Sequence, residues 1–415
     1  MSKSTWLKLG VIAIVLLIVG VLLYQIPAIN IRLSWRLDVA RTYVRNVINP
    51  VGQMPTPLPQ PAAAVTSFPT FTPTNPPTEE TPSPGPTATR TSRPTELPQF
   101  IDLGSPAWEK QTPNNCGPAT LSMYLNTHNW EGSQADISDL LKPETGDRNV
   151  NVEELTHFVR TQAGWLNAEY RVGGDIELLK KFLAAGLPVM IEEGDLLDEG
   201  YWPNDDRWAG HYLLLTGYDD AGQTFTAQDT FRSPDRSVPY QSVLANWQAF
   251  NYVYLLVFRA DQTELVKSIL GEHWDPDVNR QKALELAQSQ TVDEPENAFT
   301  WFNLGSNLVY FERYQEAAQA YDTARQVGLP QRMLRYQFGP FFAYFFGGRN
   351  DDLLVLTDYA LQRTPNSEET LLWRGWGKYR AGNTLDAMND FQSALEENPY
   401  YEDAKYALEY VTSNP

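Results

Sequence analysis

Cysteine and histidine are both scarce in this chain. Its 415 residues include one cysteine, Cys116, and four histidines. One cysteine cannot form an internal disulfide, so cysteine usage does not indicate a redox compartment. It also excludes a cysteine-rich zinc site, and four histidines leave little for a histidine-based one. We therefore expect neither a metal ion nor another cofactor.

Positive charge is also in short supply. The chain has 32 Lys and Arg against 51 Asp and Glu, which gives a formal net charge of -19. A nucleic-acid-binding protein would need a basic face, so we expect no nucleic-acid partner. The hydrophobic content of 42% is sufficient for folded cores. The length indicates about two or three domains.

A long hydrophobic run occurs near the N-terminus. From Leu9 the chain reads LGVIAIVLLIVGVLLYQIPAI, roughly twenty residues without a charge, which suffices for a helix that crosses a bilayer. The alternative is a cleaved signal peptide. The run is long for a signal peptide, and it lacks a clear cleavage motif of small residues. The sequence therefore predicts a single-pass membrane anchor over residues 1–30.

Residues 31–98 form a juxtamembrane segment and a linker rich in Pro and Thr. Prolines remove backbone donors and fix φ, so this linker is expected to be disordered or extended, as a polyproline-like stalk. The arginines that follow the hydrophobic run are Arg32, Arg36, Arg41 and Arg45. They favour a cytoplasmic location for this side. Such stalks are commoner outside the cell, and we expect an extracytoplasmic body.

The only cysteine lies in the stretch QTPNNCGPATLSMYLNTHNW, residues 111–130. Gly117 and Pro118 suit the first turn of a helix, and apolar residues follow at helical spacing. Cys116 is therefore predicted at a helix N-terminus, where unpaired N–H groups and the helix dipole lower a thiol pKa. This environment suits a nucleophile. A buried structural cysteine is the alternative, which the local sequence does not exclude.

A nucleophilic thiol needs a base, and His211 is the best candidate. It opens the apolar strand of GHYLLLTGYDDAGQTFTAQDT, which the pattern predicts to be a β-hairpin with Asp219 and Asp220 in the turn. Asp229 on the returning strand can then orient the imidazole. His128, His157 and His273 are less suitable: the first lies too far along the same helix, the second on a helix rim, and the third in an acidic stretch. Gln111 can direct its amide at the oxyanion, together with the Cys116 N–H.

These elements resemble the papain-like cysteine peptidases related to bacteriocin-leader-processing enzymes, in particular their stand-alone subgroup. The resemblance covers roughly residues 100–260 and rests on CGPATLSMYL, GLPVMI, GHYLLLTGYDD and AQDT. It implies an α+β papain-like domain with catalytic residues Cys116, His211, Asp229 and Gln111. Asn115 stands where the leader-processing enzymes carry Asp, and Gln111 is one residue closer to the cysteine than in those enzymes.

Residues 192–210, EEGDLLDEGYWPNDDRWAG, are predicted to be a long acidic and aromatic loop between a buried strand and His211. The loop could line the substrate cleft and favour basic substrates. The simpler interpretation is a solvated surface loop, which we prefer.

The last third of the chain repeats with a period of about 35 residues, close to that of tetratricopeptide repeats. In its clearest unit the small and large residues at repeat positions are Trp301, Leu304, Gly305, Leu308, Ala317, Tyr321 and Ala324. The sequence YYEDAKYALEYV would cap the stack. An all-α solenoid is therefore predicted over residues 262–415, after a peptidase-like domain over residues 99–261.

These features support a multidomain, membrane-anchored cysteine peptidase. Its substrate would be a peptide or protein, and its helical repeats would bind a protein partner. A non-catalytic surface scaffold is an alternative of a different class. An amidase or acyl-transfer enzyme of the same fold is a further alternative. Peptide hydrolysis, amide hydrolysis and acyl transfer all use the same thiolate and oxyanion, so the sequence does not separate them.

Overall fold

The computed structural model describes residues 27–50, 52–59, 97–143 and 149–414, together with residues 12, 14, 15 and 18–20. The predicted anchor therefore lies largely outside the described residues, as does most of the Pro/Thr-rich linker. Within the described part, no helix combines the length and the apolar character needed to span a membrane. The first helix, α1, covers Pro27–Ile48.

A mixed α+β unit follows the linker. Its strands are β1 (Phe100–Asp102), β2 (Leu166–Arg171), β3 (Val189–Leu196), β4 (Trp208–Asp219), β5 (Thr224–Gln228), β6 (Arg236–Pro239) and β7 (Tyr254–Arg259). Its helices are α2 (Cys116–Asn126), α3 (Gln134–Leu141), α4 (Val152–Gln162), α5 (Ile176–Ala184), α6 (Tyr240–Trp247) and α7 (Thr263–Leu270). The predicted hairpin of β4 and β5 is confirmed, although β4 begins three residues before His211.

The strands of this unit form one antiparallel sheet in the order β2-β7-β3-β4-β5-β6, and β1 pairs with the end of β4. Side chains alternate across β4, so its two faces enter different cores. Tyr212 and Leu214 pack with α2 and α4, whereas Leu213 and Leu215 pack with α5 and α6. Helices therefore cover both faces of β4. His211 lies near the N-terminal end of this strand, beside α2.

A helical region completes the described chain. Its helices are α8 (Pro276–Asp293), α9 (Ala298–Tyr310), α10 (Tyr314–Val327), α11 (Met333–Tyr336), α12 (Gly339–Phe346), α13 (Asn350–Arg363), α14 (Glu368–Arg380), α15 (Thr384–Glu397) and α16 (Glu402–Ser413). The predicted small residues do permit close helix packing. A Cβ at Gly305 would lie 2.7 Å from the Tyr321 ring, and one at Gly375 would lie 2.4 Å from the Phe391 ring. The prediction of an α+β unit followed by a helical region is confirmed.

The two units share one continuous hydrophobic core. Phe158 and Leu255 of the α+β unit belong to the same cluster as Phe302 and Phe341 of the helical region. Burial of apolar surface is worth roughly 25 cal/mol per Å², so this shared core stabilises the junction between the two units. The helical region therefore packs against the α+β unit and is not joined to it by the chain alone.

The segment predicted to be a solvated acidic loop is such a loop only in part, because both of its ends belong to strands. Its first residues extend β3 as far as Leu196, and its last ones begin β4 at Trp208. The remaining β3–β4 loop (residues 197–207) packs against the helical region, with Trp202 buried. Asp205 takes part in that contact, where it forms an ion pair with Arg332 over 2.5 Å, whereas Asp198 and Glu199 are exposed.

Candidate active site

Cys116 is the first residue of α2, as the sequence predicted. Asn115 precedes it as the N-cap, and the helix that follows is buried from Gly117 to Leu125. The first N–H groups of a helix have no partner within the helix, so the helix end that carries Cys116 favours a negative charge. The side chain of Cys116 is partly buried, and its sulfur accepts a hydrogen bond from the backbone N–H of Tyr212.

His211 lies next to this thiol. The imidazole is buried and in hydrogen-bond contact with Cys116. Its Nε2 atom lies 2.9 Å from Oδ1 of Asp229, which leaves Nδ1 for the sulfur. The ring of Phe231 meets the imidazole edge-on, with 6.4 Å between ring centroids. The structure therefore brings together the three residues that the sequence predicted as nucleophile, base and orienting carboxylate.

Asp229 directly follows β5 and is completely buried. Its Oδ1 atom also accepts hydrogen bonds from the backbone N–H groups of Phe231 (2.8 Å) and Arg232 (3.0 Å). The guanidinium of Arg236 contacts its other oxygen. These donors fix the carboxylate in position. Arg236 was not predicted from the sequence, although a basic residue in the strand after Asp229 is the signal that could have found it.

The charges of these groups stabilise one another. Burial alone would raise the pKa of the Cys116 thiol, but the hydrogen bond and charge of His211 lower it below the ordinary value. Burial alone would lower the pKa of His211, whereas Asp229 and Cys116 raise it. Burial opposes ionisation of Asp229 too, yet the contact with His211 lowers its pKa. The arrangement favours a thiolate beside an imidazolium.

Gln111 borders the same cleft. Its Oε1 atom accepts a hydrogen bond of 2.8 Å from the Thr230 hydroxyl, and its backbone N–H donates to the Thr230 carbonyl. Because the oxygen is engaged, the amide nitrogen is the part of the side chain left to face a substrate. Its role at an oxyanion remains a prediction.

The loop before the thiol is held by Gln134, which the sequence did not single out. Its Oε1 atom accepts from the Thr112 N–H at 2.7 Å and from Asn115 Nδ2 at 2.8 Å. Its Nε2 atom donates to Glu109 at 3.0 Å and to the Lys110 carbonyl at 2.8 Å. A buried glutamine with both ends bonded fixes the backbone that leads into Cys116.

The other histidines lie in different surroundings. His128 contacts the Val257 carbonyl at 3.2 Å, and His273 contacts Asn279 at 3.2 Å. His157 is exposed on α4. Among the residues that the structure describes, no three His, Cys, Asp or Glu side chains cluster as metal ligands would.

The thiol and imidazole open into a cleft with a volume of about 280 Å³. The α+β unit supplies most of its lining: Lys110, Gln111, Thr112, Pro113, Asn114, Asp195, Leu197, Tyr201, Ala209, Gly210 and Phe231. The remaining wall comes from the helical region, through Arg335 and Tyr336. No local pattern in the sequence indicates this wall, because it lies more than two hundred residues after Cys116.

Tyr336 lies directly beside Gly210, the residue that precedes His211. It packs edge-on against Trp208 and Phe250, with ring centroids 5.8 and 6.1 Å apart. A Cβ at Gly210 would lie 3.0 Å from the Tyr336 ring and 2.8 Å from that of Phe250. Glycine at 210 is therefore what allows the helical region to reach the cleft.

Replacing Tyr336 with alanine is expected to raise KM for a peptide substrate about tenfold, the equivalent of about 1.4 kcal/mol of binding. We expect the aromatic wall to contact bound substrate without taking part in proton transfer, so kcat should change less. Steady-state kinetics on the full chain measure both constants. Tyr336→Phe is the matched control and should retain the parent KM, since it keeps the ring. An unchanged KM in Tyr336→Ala would show that substrate does not reach this wall.

A second buried carboxyl, Glu193, lies across from His211 in the β3–β4 ladder. It is 3% exposed, and within the described chain its Oε2 atom has no hydrogen-bond partner. Burial raises the pKa of the Glu193 carboxyl to about 7, and the charge of His211 opposes this shift. The carboxyl is therefore protonated in the folded state at pH values where an exposed glutamate is ionised.

Stability is accordingly expected to fall with rising pH through Glu193. The pKa of the Glu193 carboxyl is higher in the folded state than in the unfolded chain, so its protonation stabilises the fold. This stability is fully present below the unfolded pKa and is lost as the pH rises through about 7. In urea unfolding, Glu193→Gln should therefore gain about 2 kcal/mol relative to the parent between about pH 5 and about pH 8. Glu177→Gln, a change at an exposed glutamate of α5, is the control. Parallel pH profiles for parent and Glu193→Gln would contradict the expectation.

The fold and the site together place a thiol, an imidazole and a carboxylate next to one another within an α+β unit. In agreement, residues 105–255 match the model of the Peptidase_C39 like family. No curated protein matches the chain.

Solved structures resemble parts of the chain at low identity. A Bacillus anthracis protein described as a C39-like peptidase is 17% identical, covering 39% of this chain and 98% of its own, with a TM-score of 0.32. Xylellain, a cysteine protease from Xylella fastidiosa, is 14% identical, covering 40% and 87% respectively, with a TM-score of 0.30. YrrB, described as a TPR protein with an unusual peptide-binding site, is 16% identical, covering 42% and 81%, with a TM-score of 0.30.

Proposed function

We propose that this chain is a cysteine peptidase that hydrolyses peptide bonds through Cys116, His211 and Asp229. The observation that carries the proposal is the contact of a helix-terminal thiol with an imidazole that is itself bound to a buried carboxylate. The same three residue types in this geometry activate a thiol for acyl transfer. The family match over residues 105–255 supports the same chemistry.

In the first half of the reaction the Cys116 thiolate attacks the scissile carbonyl carbon. The carbonyl electrons move to oxygen, and the oxyanion is stabilised by the Cys116 N–H and by the Gln111 amide. The intermediate collapses when the imidazolium of His211 gives its proton to the leaving amine. The C–N bond breaks, and the acyl group remains on sulfur as a thioester.

In the second half His211, now neutral, takes a proton from water. The resulting hydroxide attacks the thioester, and a second oxyanion forms in the same position. Its collapse expels the thiolate and releases a carboxylic acid, which restores the thiolate and imidazolium pair. Asp229 holds the imidazole so that one nitrogen faces the sulfur throughout both halves.

The cleft favours an apolar or aromatic side chain beside the scissile bond. Leu197, Tyr201, Phe231 and Tyr336 supply apolar surface around it. Asp195, the carboxylate in the lining of the cleft, is already paired, because it binds Arg232 over 2.5 Å. Selection for basic substrates, which the acidic segment suggested, is therefore not what this lining supports.

We further propose that the helical region consists of tetratricopeptide repeats that bind a protein partner or the substrate. Its paired helices with close Gly–aromatic contacts support this assignment. A single-pass anchor over residues 1–30 and an extracytoplasmic body complete the proposal, and both depend on the sequence pattern alone. Protease accessibility of the body in intact cells tests the orientation.

Peptide cleavage is tested by incubating the full chain with a defined peptide library and identifying new N-termini by mass spectrometry. Cys116→Ser is the control, since it keeps the shape of the site and removes the thiol. We expect new termini with the parent chain only, enriched for an apolar residue near the cleaved bond. Termini that appear equally with both chains would contradict the proposal.

The same incubation distinguishes the alternative functions. An amidase would release ammonia and leave the peptide backbone intact. An acyl-transfer enzyme would attach an added primary amine to the substrate, because the amine replaces water at the thioester. A non-catalytic scaffold would produce none of these changes.

A further inference from the structure

A short segment of the N-terminal linker is docked on the helical region. Residues 52–59, GQMPTPLP, form neither helix nor strand, and we refer to them as the strap. Met54 is 8% exposed and belongs to the core that the two units share. The strap precedes the α+β unit by about forty residues of sequence, so this contact is a tertiary one.

The backbone of the strap is bound by three buried side chains of the helical region. Arg325 donates to the Pro55 carbonyl from Nε at 3.0 Å and from Nη2 at 2.6 Å. Arg363 donates to the Gly52 carbonyl at 2.9 Å. These two arginines lie at the ends of α10 and α13.

The third side chain binds the last part of the strap. Asp352 accepts a hydrogen bond of 3.0 Å from the Leu58 N–H. The three residues Arg325, Asp352 and Arg363, which we call the strap site, are each 3% exposed or less. Buried charges are expensive unless they are hydrogen-bonded, so contacts to the strap contribute to satisfying them.

The strap site is also prearranged by its neighbours. Nη1 of Arg325 donates to the Tyr344 hydroxyl at 2.8 Å, and that hydroxyl donates to Asp322 at 2.8 Å. Arg349 binds Asp352 over 2.8 Å. The donors and acceptor are therefore held in position by the helical region itself, which lowers the entropic cost of binding a peptide.

The spacing of the bound groups points to the conformation that the site recognises. The strap residues whose backbone groups are hydrogen-bonded are Gly52, Pro55 and Leu58, one in every three, and the Met54 side chain packs in the shared core. Polyproline II has three residues per turn and no internal hydrogen bonds, so groups at this spacing lie on one face. Prolines within the strap favour that conformation before binding.

We propose that the strap site is a recognition site for a polyproline II peptide and that its ligand is the strap of the same chain. The proposal deepens the binding role proposed for the helical region and does not depend on catalysis. Only three residues separate the strap from the end of α1 at Ile48. Three extended residues span roughly 10 Å, so the strap holds the helical region next to α1.

A consequence concerns the linker. With the strap docked, the linker between residue 60 and residue 96 has both of its ends attached to the folded body. Under the proposed N-terminal anchor, the body would then be held close to the membrane rather than at the far end of a stalk.

Spin labelling of the full chain tests the docking. Cys116→Ser removes the native thiol, and Thr56→Cys supplies one label site on an exposed strap residue. We expect a slow-motion spectrum in this chain and a sharp, mobile spectrum after Arg325→Met. Arg374→Met changes an arginine of α14 that binds Asp390 instead, and it should leave the spectrum slow. A sharp spectrum in the parent, or a slow one in Arg325→Met, would overturn the proposal.

Two further results separate docking within one chain from exchange between chains. The spectrum should not change on dilution, whereas sharpening on dilution would show that a second copy supplies the strap.

A fluorescent GQMPTPLP peptide should bind a full chain carrying Met54→Asp and Leu58→Asp at least about tenfold more tightly than the parent, whose own strap competes. Equal binding to both chains would contradict occupancy by the strap. The spin-label chain lacks the nucleophile, so the outcomes of the spin-label experiments are independent of peptidase activity. The peptide-binding comparison is made with Cys116→Ser in both chains for the same reason.

Discussion

His211→Ala is expected to reduce the alkylation rate of Cys116 at about pH 6 by roughly two orders of magnitude, because an unassisted thiol is almost fully protonated there. In the parent chain His211 lowers the thiol pKa against the opposing effect of burial. Without the imidazole, the Tyr212 N–H and the charge of Lys142 still lower the thiol pKa, but burial, which is the largest single effect, favours the neutral thiol. The rate of reaction with iodoacetamide across a pH series measures this change. Since Cys116 is the only cysteine, every label reports on this site.

The same substitution should lower kcat/KM for peptide cleavage by about 10³-fold or more, since the base and the proton donor are lost together. His128→Ala is the matched control, because that imidazole contacts the Val257 carbonyl. It should leave both the alkylation profile and the cleavage rate close to those of the parent. If His211→Ala and the parent react alike and only at alkaline pH, Cys116 is a structural cysteine and the scaffold hypothesis is favoured.

Arg332→Met is expected to destabilise the protein by about 3–5 kcal/mol, the usual effect of removing one partner of a buried ion pair. Arg332 is 1% exposed. It binds Asp205 over 2.5 Å and donates to the Trp208 carbonyl at 3.0 Å. Its guanidinium lies 4.1 Å from the centre of the Trp202 ring. Methionine fills the space but leaves the Asp205 carboxylate buried without this partner.

Thermal or urea unfolding of the full chain measures the effect of Arg332→Met. Lys405→Met removes one partner of an exposed pair with Glu402 and should change stability by less than about 1 kcal/mol. We also expect KM for peptide substrates to rise in Arg332→Met, since the β3–β4 loop carries Tyr201 into the cleft. Equal stability changes in the two variants would show that the contact between the loop and the helical region contributes little.

Local sequence patterns were sufficient to select the candidate thiol, imidazole and carboxylate. Gly117 and Pro118 indicated a helix start at Cys116, and the turn residues after Tyr218 indicated the hairpin that carries His211 and Asp229. These signals depend on backbone preferences over a few residues, so no knowledge of packing was needed. The positions of Gly305 and its equivalents indicated paired helices for a different reason, because they recur with a period of about 35 residues.

The acidic segment between β3 and β4 shows where such patterns fail. Its charges suggested contact with solvent, because isolated carboxylates are seldom buried. In the structure Asp205 is paired with a guanidinium from the helical region. The partner is 127 residues away, and no local rule connects the two.

The amino-acid sequence by itself determined the helices, the hairpin and the residue types of the predicted nucleophile, base and carboxylate, because each of these follows from preferences of neighbouring residues. Only the tertiary structure decided that Tyr336 walls the cleft, that Arg332 is buried against Asp205, and that the strap lies on Arg325. Those contacts join segments far apart in the chain. They depend on how the shared core aligns the two units, which is a property of packing rather than of any local pattern.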